Sequence, residues 1–221
     1  GPNALLYSDQ IDNAAWTKSN ATASAVSGVA PDGVSDAPAL IENASTAEHY
    51  FTQSASRASA TEDLCVYGFF KRRTGTRDVL LLIGSDGSNY AICRFDLAAG
   101  AAGSASYVGT ATNGRAFMVD KGNGWFFCAL VARCPASTSI LAQAYLHNGS
   151  TTVYTGDSTS SIYAWRVGAA RSGLPTRGAL TTGTALASGT GQTGSGLYLK
   201  GLPASTQNIR AAGDMVEIIL P

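Results

Sequence analysis

What most constrains this chain is a two-residue rhythm: short runs with large apolar side chains at every second position, each closed off by Gly, Asn, Asp or Ser. The clearest runs are Asp63–Lys71, Asp78–Ile83, Tyr90–Leu97, Arg115–Val119, Trp125–Arg133, Ser139–His147 and Ser161–Ala169. An extended strand sends successive side chains to opposite faces, so the rhythm marks strands packed on a core. No stretch carries a convincing 3.6-residue apolar period, and helices are not expected. Asp86-Gly87 separates the second run from the third and Asn123-Gly124 precedes the fifth, both with hairpin-turn chemistry. Strands at this spacing predict an all-β protein, a two-layer antiparallel β-sandwich.

Alternation also separates the two faces of each run. Leu64, Val66 and Phe70 oppose Cys65, Tyr67 and Phe69; Phe126, Cys128 and Leu130 oppose Trp125, Phe127 and Arg133; Ile140, Ala144 and Leu146 oppose Leu141, Gln143, Tyr145 and His147. The first set in each run reads as core. Trp16 and Trp165 also read as core, Trp165 because it alternates with Tyr163 and Val167. The second sets mix aromatic rings with an amide, an imidazole and a guanidinium, an unusual composition for a solvated face. Flat rings stack on the apolar face of a pyranose while amides and guanidiniums bond its hydroxyls. Tyr67, Phe69, Trp125, Phe127, Arg133, Gln143 and Tyr145 are therefore the candidate ligand-binding residues. The alternative is that this second face is covered and serves as packing.

Composition excludes several function classes. The 15 basic residues balance the 15 acidic ones, so no long-range field draws in a nucleic acid. No apolar run approaches the roughly 18 residues of a membrane span, so no membrane partner is expected. The chain does not open on a basic-then-apolar leader, and Gly1-Pro2 reads as a scar of tag cleavage. Cys65, Cys93, Cys128 and Cys134 include no C-x-x-C pair for a metal. Cys128 and Cys134 lie about 20 Å apart along an extended strand, beyond disulfide reach, so all four read as small strand residues.

Catalytic signatures are weak. His49 and His147 are the sole histidines, and neither lies near a Gly-x-Ser-x-Gly elbow. A glycosidase needs two carboxylates across a sugar, yet Asp32, Asp36, Asp86, Asp120 and Asp157 stand beside turn residues where they cap their own backbone. The chain is expected not to be an enzyme.

A set of local motifs carries a family resemblance. Leu5-Leu6-Tyr7-Ser8-Asp9-Gln10, Asn13-Ala14-Ala15-Trp16-Thr17-Lys18, Ala30-Pro31-Asp32-Gly33, Glu48-His49-Tyr50 and Gln53-Ser54 open the chain. Val66-Tyr67, Phe95-Asp96-Leu97, Gly122-Asn123-Gly124-Trp125, Tyr154-Thr155-Gly156-Asp157 and Ile162-Tyr163-Ala164-Trp165 follow in order. Together they resemble carbohydrate-binding-like jelly-roll modules of bacteriophage tail and fibre proteins, over residues 4–177. Where similar modules carry Gln-Leu-Glu after the Trp165 strand, this chain has Gly168-Ala169-Ala170. The tail, from Gly191-Gln192-Thr193 through Gly201-Leu202-Pro203 to Asp214-Met215-Val216, is similar to the start of a further phage tail-protein segment, so residues 178–221 read as a linker and that start. The chain stops at Pro221 within an apolar run, as a piece of something longer would.

The resemblance implies a jelly roll on a virion, extracellular when it functions, with host cell-surface polysaccharide and other tail proteins as partners and self-association as a further expectation. It implies no cofactor, but it does imply a structural calcium ion, for which Asp9, Asp12 and Asp157 are the candidate ligands. The alternative function is a purely structural tail module without a sugar ligand.

Overall fold

The computed structural model describes residues 3–171, 208–212 and 215–219. The chain divides into two compact units, Gly1–Ser188 and Gly189–Pro221. The expected boundary at 177/178 lies outside the described residues. In the second unit, β16 (Asn208–Ala212) and β17 (Met215–Ile219) form an antiparallel pair.

The first unit carries β1 (Thr17–Ser19), β2 (Ala21–Val29), β3 (Asp36–Glu42), β4 (Thr46–Glu48), β5 (Tyr50–Ser56), β6 (Asp63–Thr74), β7 (Asp78–Asp86), β8 (Asn89–Asp96), β9 (Ala101–Ala102), β10 (Ser106–Val108), β11 (Thr112–Asp120), β12 (Phe126–Arg133), β13 (Ser139–His147), β14 (Val153–Thr155) and β15 (Ser161–Arg171). Each run read from the sequence falls on one of these strands. Sheet A is ordered β11-β12-β6-β15-β3-β2, and sheet B is ordered β1-β5-β13-β7-β8-β10 with β9 on β8. Every pairing is antiparallel, a small β4–β14 pair lies apart, and no helix occurs among the described residues. The fold is a two-layer antiparallel jelly-roll β-sandwich.

The core lies between the sheets. Leu64, Val66, Cys128 and Leu130 from sheet A meet Leu81, Ile83, Ile140, Ala144 and Leu146 from sheet B, all buried, with Phe126 half-buried against them. Each large side chain buried there contributes about 1.5–3 kcal/mol, and Leu64, Val66, Phe70, Cys128, Leu130, Ile140, Ala144 and Leu146 all take the core side that parity gave them, with Phe126 at its margin. The N-terminal segment closes one side. Leu5, Ile11 and Trp16 are buried, Trp16 packs edge-on to Phe51 at 5.2 Å, and Gln53 brackets Leu6 by accepting from its N–H and donating to its carbonyl.

Trp165 departs from the expectation. It is buried, but on the outer side of sheet A with Trp125, Phe69 and Tyr163, while Val167 points into the core. The cause is a bulge: Trp165 pairs with Phe69 and Gly168 with Tyr67, so one extra residue is inserted, and Arg166 takes a left-handed φ of 48°. Alternation reverses across it. The departure at Gly168 has a steric reason here, because a Cβ would come within 2.6 Å of both the Asn3 amide and the Tyr67 hydroxyl.

The cysteines are all buried and free. Burial pushes the Cys65 thiol up to about 12 and those of Cys93 and Cys134 up to about 11. Turn carboxylates behave as the sequence indicates: Asp32, Asp86, Asp120 and Asp157 each accept from backbone N–H groups two or three residues on.

Candidate functional site

The candidate residues do not share one face. β6 and β12 are neighbours in sheet A, whereas β13 lies in sheet B between β5 and β7. Tyr67, Phe69, Trp125, Phe127 and Arg133 therefore belong to the outer side of sheet A, and Gln143, Tyr145 and His147 to the outer side of sheet B, across the sandwich. Parity tells which way a side chain points from its own sheet and carries no information on which sheet that is.

The outer side of sheet A is packed rather than open. Tyr67 is fully buried and Trp125 and Trp165 keep 2% and 3% of their surface, while Phe69 and Phe127 are half-buried. Rings follow one another at 6.3 Å from Tyr67 to Phe127, 5.2 Å from Phe127 to Phe69 and 5.3 Å from Phe69 to Trp165. Trp125 lies 5.9 Å from Tyr163 and donates its indole N–H to the Val29 carbonyl at 3.2 Å, and the Arg166 guanidinium caps Trp165 at 4.1 Å. A sugar needs a ring with one free face, and Tyr67 and Trp125 have none to give. Trp125 as an open platform is corrected by its burial. Arg133 is exposed and paired with Asp63.

The outer side of sheet B has the chemistry the sequence pointed to, with different members. Register places Tyr50 opposite Tyr145, Thr52 opposite Gln143, Leu80 between Tyr145 and Arg94, and Leu82 between Gln143 and Ile92. Phe51, Val79, Leu81, Ala91, Cys93 and Phe95 take the core side of these strands, so their alternates face outward. Tyr50 and Tyr145 lie 4.7 Å apart at a tilt of 39°, and the Tyr145 hydroxyl donates to Gln143 Oε1 at 2.6 Å. That bond orients the amide. Burial, helped by Glu48, Tyr50 and Tyr90, pushes the Tyr145 hydroxyl well above its ordinary range, so it stays a donor at any physiological pH. Tyr50, Thr52, Leu80, Tyr90, Ile92, Arg94 and Gln143 are all part-exposed.

Arg94 is held at the far end of this face. Its Nε and an amino group donate to Asp78 Oδ2 at 3.0 and 2.5 Å; Asp78 is buried and also accepts from Arg72 and the Leu97 N–H. His147 Nδ1 accepts the Gly149 N–H at 3.0 Å, and burial and the neighbouring Arg94 lower its affinity for a second proton against the pull of Asp78. His147 is thus neutral, with its proton on Nε2. The other histidine, His49, is buried with both ring nitrogens against backbone carbonyls of Asn20 and Tyr154 at 2.7 and 3.2 Å.

Tyr50, Thr52, Leu80, Tyr90 and Arg94 are the members of this face that the sequence reading missed. Their signal was present: Tyr50, Thr52 and Ser54 alternate with Phe51, Gln53 and Ala55, and Tyr90, Ile92 and Arg94 with Ala91, Cys93 and Phe95.

The calcium candidates do not come together. Asp157 gives its carboxylate to Thr159 and Ser160, and no group of three His, Cys, Asp or Glu side chains among the described residues could hold a metal ion.

No family model matches the sequence, and no curated protein matches it. Among solved structures, the enzymatically active domain of bacteriophage CBA120 tailspike protein 4 is similar at 16% identity with a TM-score of 0.46, over 76% of this chain. The chain spans 21% of the length of that tailspike chain. TmCBM61, solved with β-1,4-galactotriose, is similar at 9% identity and a TM-score of 0.44, over 77% of this chain and 99% of its own. A CBM4 structure is similar at 14% identity and 0.37, over 77% and 94%. All three scores are low, and the functional assignment stands on this chain's own residues.

Proposed function

We propose that this sandwich is a non-catalytic carbohydrate-binding module of a phage tail or fibre protein, and that it engages host surface polysaccharide along the outer side of sheet B. The observation that carries this reading is the half-exposed Tyr50 ring packed on buried Tyr145, whose hydroxyl fixes Gln143: one available ring and an oriented, part-exposed amide on an otherwise apolar sheet face. Leu80, Leu82 and Ile92 supply the floor, Thr52 and Arg94 further hydroxyl partners. Nothing on this face is arranged for proton transfer, since Tyr145 keeps its proton and His147 spends Nδ1 on a backbone N–H.

A shallow face leaves the sugar partly solvated, so affinity is expected to be weaker than about 10 µM, with attachment relying on several copies at once. The test is a glycan array followed by titration of the best ligand into the parent and the Tyr50→Ala and Gln143→Ala variants. Each is expected to weaken binding about tenfold or more, since a ring stack or an oriented hydrogen bond is removed, while the unfolding midpoint stays within a few degrees. An array without any ligand, or variants that bind like the parent, would favour the structural tail module instead.

A further inference from the structure

One corner of sheet A is built unlike the rest of its outer side. Asp63, first in β6, lies opposite Arg133, last in β12. Its carboxylate holds two guanidiniums: Arg133 Nε donates to Oδ1 at 3.0 Å, and an Arg115 amino group lies 3.6 Å from Oδ2. Beside them opens a cavity of about 420 Å³ lined by Asp63, Asn113, Gly114 and Arg115. Its rim is a bulge in β11, where the register with β12 shifts between Thr112 and Arg115 and Asn113 takes a left-handed φ of 57°. Tyr107 pins the bulge, its hydroxyl accepting from the Gly114 N–H at 2.8 Å and donating to the Gly114 carbonyl at 3.3 Å. Bulges of this kind re-aim the side chains beside them, here Arg115.

We propose that this corner binds the carboxylate of an acidic saccharide unit of the uronic acid class. Two guanidiniums against one carboxylate leave a net positive charge at this corner, with Arg115 lining the cavity and Arg133 adjoining it through Asp63. Asp63 engages Arg133 through Nε and Arg115 through one amino group, so most of their donors remain for a ligand carboxylate, the acceptor a planar guanidinium matches best. Both are reachable, at 63% exposure for Arg115 and 47% for Arg133. Asp63, at 25%, orients them from below. The Asn113 amide on the rim suits a sugar hydroxyl next to the acid group. This site is on the side of the sandwich away from Tyr50 and Tyr145 and does not depend on the stacking face.

The test is an NMR titration of the isotope-labelled full chain with D-glucuronate, D-glucose and inorganic phosphate, following the amides of Asn113, Gly114 and Arg115. Glucuronate is expected to shift these signals saturably and glucose to leave them in place. Arg115→Met and Arg133→Met are each expected to weaken glucuronate binding about tenfold or more, with an unchanged unfolding midpoint, as the loss of a charge-assisted bond requires. Arg115→Lys, which keeps the charge and loses the fork, is expected to weaken it as well. Equal responses to glucose and glucuronate, or a response to neither, overturn the proposal. Phosphate binding as tightly as glucuronate overturns the sugar-acid assignment. Shifts confined to Tyr50 and Gln143 also overturn it, because they report the other face.

Discussion

Trp125 shows how far a single residue's role depends on what surrounds it. By type and parity it is a candidate sugar platform, yet it is 98% covered, packed with Trp165, Ala30 and Ala37 and hydrogen-bonded to Val29. Its truncation empties a cavity in a packed cluster. Trp125→Ala is therefore expected to cost about 3–5 kcal/mol of stability by chemical denaturation, while Tyr50→Ala, half-exposed, costs far less. A Trp125→Ala protein as stable as its parent would mean the cluster contributes nothing. Sequence alone offered no way to tell the two aromatics apart, because exposure depends on what other segments lie over a ring.

Between elements, the informative feature is Glu42 at the end of β3. Its buried carboxylate accepts two bonds from Arg77 at 2.7 and 2.8 Å, one from the Tyr154 hydroxyl at 2.7 Å and one from the Asp157 N–H at 2.9 Å, tying β3 to the segments around β7 and β14. Burial alone would raise its pKa, but Arg77, Tyr154 and the Asp157 N–H outweigh it and hold the carboxylate below its ordinary 4.5. A depressed folded value means the stabilisation is complete above the unfolded value and is lost as pH falls towards the folded one. Glu42→Gln is expected to lose about 3–5 kcal/mol at pH 7, because Arg77 loses its buried two-bond carboxylate partner and keeps the longer 3.8 Å ion pair with half-exposed Asp157, and to lose stability less steeply than the parent below about pH 4.5. Equal acid slopes for the two proteins in denaturant titrations would contradict this. No local pattern announces Glu42, whose partners lie 35 and 112 residues away. What the sequence did reveal is what short range decides. Strand runs, hairpin turns and core parity were legible because alternation and turn residues are properties of neighbours. Sheet membership was not, since β13 joins sheet B through pairing with β5 some 90 residues earlier, and the reversal at Trp165 needed the bulge at Arg166.

Over the whole molecule, the chain forms two compact units divided at Ser188. Removing residues 189–221 is accordingly expected to leave the unfolding midpoint of the sandwich within a few degrees of the full chain's, measured by thermal circular dichroism; a collapse of folding would show the second unit to be integral to the first. The sandwich has a consequence for synthesis. β13 sits between β5 and β7, and β15 between β6 and β3, so the middle of each sheet is supplied by strands that come late in the chain. Until residue 147 has emerged from the ribosome, β5 and β7 lack the strand that joins them, and until residue 171 the same holds for β6 and β3. Unmated strand edges are templates for pairing between chains, and topologies dominated by distant pairings fold slowly. Nascent copies crowded on one polysome therefore pass through a stage in which the edges of β5, β7, β6 and β3 that β13 and β15 later fill stand open to their neighbours.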